Sequence, residues 1–107
     1  MRIKYCEDNK TKSHEALMLS DIGEILLNID DQHMNEAEDW IKKAIEAGKR
    51  NGVMFDLGRA YASYAKLLKR KGDLTGAKEN LNTAIEIYKE CGADGWLKKA
   101  QEALAEM

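Results

Sequence analysis

Residues 36–52 read Glu-Ala-Glu-Asp-Trp-Ile-Lys-Lys-Ala-Ile-Glu-Ala-Gly-Lys-Arg-Asn-Gly, and 40 residues later residues 76–92 read Gly-Ala-Lys-Glu-Asn-Leu-Asn-Thr-Ala-Ile-Glu-Ile-Tyr-Lys-Glu-Cys-Gly. Ala37, Ala44, Ile45, Glu46, Lys49 and Gly52 return as Ala77, Ala84, Ile85, Glu86, Lys89 and Gly92. In both copies the apolar residues recur at helical spacing and form one stripe: Ala37, Ile41, Ala44 and Ile45 in the first, Ala77, Leu81, Ala84, Ile85 and Tyr88 in the second. Self-similarity at a period between about 20 and 50 residues marks stacked supersecondary units, none of which buries its apolar face alone. Such a stack commonly serves as a binding surface. The repeat names the kind of object and leaves the partner unnamed.

Working outward from the repeat, the chain divides into five predicted helices, over about 13–29, 35–50, 53–71, 74–91 and 94 to the end. Proline is absent, and seven of the eight glycines lie between 48 and 95, where they punctuate the helical patterns. Asn35 followed by Glu38 fits a capping box, and Lys71-Gly72-Asp73 supplies a left-handed stop and then a new cap. Gly92 and Gly95 bracket a similar break. Links of two to about six residues require neighbouring helices to pack antiparallel. Residues 1–12 show no helical period and are expected to form a mobile tail or a short packed extension.

The second hairpin contains Tyr61-x2-Tyr64-Ala65-x2-Leu68, then Gly72-Asp73, then Ala77-x3-Leu81-x2-Ala84. In this pattern the chain resembles the tetratricopeptide repeat family, whose unit is a helix, a turn and an antiparallel helix. The resemblance implies an all-α fold of antiparallel hairpins stacked as a short right-handed superhelix. Repeat 1 would cover about 13–52, repeat 2 about 53–92, and a capping helix about 94–107. Large residues fill the space between the helices, while Ala65 and Ala77 are small where the backbones cross. The period departs from the family's 34 residues, and the proline that ends the family unit is missing.

A constant offset of 40 would place Asp21, Glu24 and Asn28 in apolar slots of the first unit. Shifting the first helix by two residues instead gives Leu19-x2-Ile22-Gly23-x2-Leu26, with Gly23 at the crossing position and Gln32 and His33 as an insertion in the turn. This register predicts a buried Ile22 and an exposed Asp21. Trp96, Leu97, Ala100 and Leu104 make the last helix look like the first half of a third unit, with Lys98, Lys99, Glu102 and Glu106 on its outer face.

The 107 residues suffice for one domain. Seventeen Lys and Arg against 19 Asp and Glu leave a net charge of -2, which counts against a general nucleic-acid binder. Cys6 and Cys91 have no paired spacing, so neither a disulfide framework nor a zinc knuckle is suggested, and reduced thiols in a cytosol are the simplest account. No apolar run reaches the length of a membrane span, and the polar start is unlike a signal peptide. A cytoplasmic protein is the expectation.

No catalytic constellation is apparent: the phosphate-loop, G-x-S-x-G and H-E-x-x-H patterns are missing, and His14-Glu15 lacks a second histidine. Neither a metal site nor a cofactor is expected; Asp30-Asp31-Gln32-His33 reads as a solvated acidic turn. Cys91 reads as a packed thiol, and Trp40 and Trp96 read as core.

What remains is surface. In the family it resembles, the first helix of each pair lines a concave groove. The register would place Asp21, Glu24 and Asn28 there from the first unit, Arg59, Ser63, Lys66 and Arg70 from the second, and Lys99 and Glu102 from the last helix. This predicts a non-enzymatic module that takes a peptide or a partner domain in a mixed-charge groove. A family set of Lys, Asn and Arg that holds a terminal carboxylate is not matched, since Lys66 and Glu24 stand where its asparagine would be. Two further readings follow from the same residues. One is a structural piece, either the terminal segment of a larger signalling or regulatory protein or a self-associating homodimer whose partner covers the first repeat. The weaker one is single-stranded RNA binding through Arg59, Lys66, Lys69 and Arg70.

Overall fold

The computed structural model describes residues 15–29 and 31–107. They form α1 (Glu15–Ile29), a 3-10 turn (Asp31–His33), α2 (Met34–Asn51), α3 (Met54–Lys71), α4 (Leu74–Cys91) and α5 (Asp94–Ala105). The fold is all-α. Helices α2 to α5 fall within two residues of the bounds expected from sequence, and α4 coincides with them. The expectation for residues 1–12 lies outside the described residues.

Three helices end in the same way. Gly52, Gly72 and Gly92 follow α2, α3 and α4 with φ of 69°, 89° and 70°, a left-handed conformation open to glycine because it has no Cβ. After α3 the released carbonyls are met by two bonds, Asp73 N to Leu68 O at 2.9 Å and Gly72 N to Lys69 O at 3.1 Å. The same pair recurs after α4, from Ala93 N to Tyr88 O and from Gly92 N to Lys89 O. Asp73 then caps α4, its carboxylate accepting from the Gly76 N–H at 2.9 Å.

The start of α2 differs from the expectation. Its cap position is His33, with no side-chain cap bond, because the 3-10 turn runs directly into the helix and takes Asn35 inside the first turn. The expected capping box is therefore absent. Glu38 instead accepts from Lys71 Nζ at 2.5 Å and from the Tyr64 hydroxyl at 3.3 Å, tying α2 to α3.

Links of two residues at 52–53, 72–73 and 92–93 fold each helix back against the one before it. Helix α1 packs against both α2 and α3, α2 against α3, α3 against α4, and α4 against α5. The two-residue register shift is present in the packing. A Cβ on Gly23 would lie 2.5 Å from Ile41 Cγ1 and 3.2 Å from the Ala37 carbonyl oxygen, so the backbones of α1 and α2 meet closely there. In the second hairpin Ala65 and Leu81 share a core cluster. Ile41 and Leu81 are 40 residues apart, whereas Gly23 and Ala65 are 42 apart, and the two extra residues occupy the 3-10 turn.

Asp21 is exposed as expected, but Ile22 is only half-buried. The cause is the side of α1 that faces away from the stack, where Met18, Ile25 and Ile29 are 56%, 61% and 58% exposed. Met18 and Ile25 correspond, at an offset of 42, to Ala60 and Leu67 of α3, both 0% exposed. Among the described residues no helix covers α1 as α1 and α2 cover α3.

Cys91 lies buried in the central cluster with Leu57 and Ile87. It is disulfide-bonded, which corrects the reading of a packed free thiol and removes reduced cysteines as an argument for a cytosol. No helix among the described residues is long and apolar enough to cross a membrane.

Candidate functional site

Seven of the nine expected groove residues fall into two settings. The first is the joint between α1 and α3, where the acidic and basic side chains meet one another. Arg59 Nη2 lies 3.6 Å from Asp21 Oδ1. Glu24 accepts from the Ser63 hydroxyl at 2.5 Å and from Lys66 Nζ at 3.0 Å. Arg70 donates from Nη1 to the Leu27 carbonyl. Ser63 is 0% exposed, so its hydroxyl depends on Glu24 for an acceptor. Burial alone would raise the Glu24 carboxyl, but the Ser63 and Lys66 hydrogen bonds outweigh it and hold the group below its ordinary value of 4.5.

The second setting is the step from α3 to α5. Helix α5 rests on α4, and a cleft of about 460 Å³ opens between α3 and α5. Its floor is built from small and apolar residues of three helices: Ala62 and Ala65 from α3, Leu81 and Tyr88 from α4, Ala100 and Ala103 from α5. Alanines at helical spacing on two facing helices leave the space unfilled. The rim carries Arg59, Lys66 and Lys69 on α3 and Lys99 on α5, against Glu24 and Glu106.

Trp96 stands at the mouth of this cleft, 36% exposed. The Arg59 guanidinium lies 4.2 Å from its ring centroid and Lys99 Nζ 4.8 Å, both in cation–π range. Phe55 meets the indole edge-on at 6.0 Å, and Tyr88 lies 6.5 Å away. The indole thus has both aromatic rings and cations beside it. Beneath it, Tyr88 is 1% exposed, and its hydroxyl has no hydrogen-bond partner. Burial pushes the phenol up to about 12, so it stays protonated and keeps its donor at any ordinary pH.

Of the expected residues, Glu24, Arg59, Lys66 and Lys99 line the cleft. Asp21, Ser63 and Arg70 belong to the α1–α3 joint. Asn28 and Glu102 are exposed and border neither feature. The sequence reading missed Trp96 and Tyr88 as site residues because both follow apolar stripes. The pairs of alanines at 62 and 65 and at 100 and 103 were the available sign that the floor is hollow. Among the described residues, no group of three or more His, Cys, Asp or Glu converges at metal-holding distance. No family model, curated protein or solved structure matches the chain.

Proposed function

We propose that this chain is a non-enzymatic interaction module of tetratricopeptide-like build, which takes an extended segment of another protein in the cleft between α3, α4 and α5. The observation that carries the reading is the cleft itself: an apolar floor in a space of about 460 Å³, bordered by charged groups and fronted by a half-exposed tryptophan. Aromatic and arginine side chains in such a setting are the residue types that dominate binding energy at interfaces. The stacked hairpins keep the two walls apart because each wall is held from behind by α4.

Selection of peptides from a random displayed library, followed by amide chemical-shift mapping of a selected peptide, tests the proposal. The expected perturbations fall on Arg59, Ala62, Lys66, Trp96 and Lys99, and Trp96→Ala abolishes capture. An empty selection, or perturbations confined to α1 and α2, overturns it.

A second reading has its own observation. The exposed row Met18, Ile25 and Ile29 on α1, with half-buried Ile22, is spaced by four, three and four residues, the pattern of a seam between paired helices. Self-association through α1 of a second copy would cover it. Sedimentation equilibrium tests this: a concentration-dependent dimer that Ile25→Glu converts to monomer supports it, and a monomer across the accessible range rejects it.

A further inference from the structure

The cleft sorts charge more sharply than the chain does. Four cationic side chains border it against two carboxylates, on a protein whose overall charge is -2. One of those carboxylates, Glu24, is already engaged by Ser63 and Lys66. Lys69 has no ion-pair partner among the described residues and stands open on the rim. The face of Trp96, which would otherwise receive a ligand's cation, is occupied by Arg59 and Lys99. Lys66 is in turn committed to Glu24 and Arg59 to Asp21, so the cations left for a ligand are Lys69 and Lys99 against the single carboxylate of Glu106, a balance that favours an acidic segment over a basic one.

A second, independent observation lies deeper. The Tyr88 hydroxyl is buried, lacks a partner, and belongs to a residue that lines the cleft. A buried donor left unmade carries the full desolvation cost of its bond, so such a group is a site in want of an acceptor. The charged groups that act on the phenol are Arg59, which offers only donors, and Glu24, whose two oxygens face Ser63 and Lys66 and make no bond to the hydroxyl.

We infer that the cleft takes an acidic peptide segment and that the Tyr88 hydroxyl is its specificity group, donating a hydrogen bond to a carboxylate of that segment. The inference rests on the binding-module reading above and adds the chemistry of the partner. Entry passes Arg59 and Trp96. When the guanidinium leaves the indole for the incoming carboxylate, the hydroxyl beneath it faces the ligand, and the indole covers an apolar side chain of the peptide. Helix α5 rests on α4 and lines the cleft with Trp96, Lys99, Ala100 and Ala103.

The test uses the full chain and three labelled peptides of one length that share a central leucine, flanked by Asp and Glu, by Lys and Arg, or by Ser and Asn. Fluorescence anisotropy gives affinity and calorimetry gives Tm. The acidic peptide is expected to bind at least about tenfold more tightly than the neutral one, and the basic one not at all. Tyr88→Phe is expected to weaken the acidic peptide about tenfold while leaving Tm unchanged or raised, because it removes an unsatisfied buried donor. Lys69→Glu combined with Lys99→Glu, both on exposed positions, is expected to abolish acidic binding without unfolding. A lowered Tm in Tyr88→Phe overturns the specificity role by showing that the hydroxyl serves the fold, as does equal affinity of the two proteins for the acidic peptide. Preference for the neutral or basic peptide overturns the acidic chemistry and leaves the module reading standing. Failure of all three overturns this inference, and the module reading falls with it only if library selection is also empty.

Discussion

The steps from α1 to α3 and from α3 to α5 are equivalent in the repeat, yet the first is closed and the second is open. The closing device is a row of polar contacts, Asp21 to Arg59, Glu24 to Ser63 and Lys66, and the Leu27 carbonyl to Arg70. Advancing those positions by one unit shows why it is not repeated. Where Asp21 faces Arg59, the next step sets Ser63 toward Lys99, and no ion pair is possible. Where Glu24 faces Ser63 and Lys66, the next step sets Lys66 toward Ala103 and Glu106. Lys66 is already committed to Glu24, and Glu106 lies beyond the last turn of α5. The cleft therefore sits where a zipper fails, at the few positions where one unit stops resembling the next.

The comparison can be broken most forcefully in its closed half. Ile41 is 0% exposed and fills the crossing with Gly23, so Ile41→Ala should cost about 4 kcal/mol in urea unfolding. Leu81→Ala, its counterpart under the open cleft, should cost less, about 2–3 kcal/mol, because α5 can settle inward. Equal costs would show the two steps to be equally rigid. Glu24→Ala comes next, at about 2 kcal/mol, since it leaves the sealed Ser63 hydroxyl without its acceptor. The Asp21–Arg59 pair is partly exposed, and Asp21→Asn should change stability by less than about 1 kcal/mol.

Acid should act on the same half. Glu24 is held below its ordinary value against the pull of burial, and Glu38 is held low chiefly by its hydrogen bond to Lys71. A carboxylate with a depressed folded pKa contributes stability that is fully present above its unfolded value, here 4.5, and is lost as pH falls through the folded one. Below about pH 4.5, hydrogen exchange should accelerate in α1 before it does so in α4. Uniform exchange across both hairpins would show that these contacts do not hold the first step together.

Much of this fold was legible in the chain. The stripe Ala37, Ile41, Ala44, Ile45 and its echo fixed two helices, and the glycines fixed their ends, because a left-handed stop and an apolar face are local properties. The shifted register was legible as well, since it kept Asp21 and Glu24 out of the core where a constant offset of 40 did not. What escaped were properties of pairs. The residues gave Asp21 and Arg59 to one surface but not to one another, so the expected mixed-charge groove is half occupied by its own pairs. Asn35 lost its cap because the turn before it coiled, and that depends on α1 and α2 together. Trp96 follows an apolar stripe in sequence, but among the described residues no helix follows α5 to cover it, so it stands at the cleft instead.

The three glycine stops stand 20 residues apart, and each helix between them is 18 residues long. A segment cut after Gly52 and after Gly92 consequently has matching ends, with the same backbone twist at both and a buried or half-buried small apolar residue, Val53 or Ala93, waiting to follow. Inserted in tandem, residues 53–92 would meet their own copy as α5 now meets α4. The molecule is in this sense a ruler with a 40-residue division, able to lengthen by whole divisions while every existing joint keeps its place.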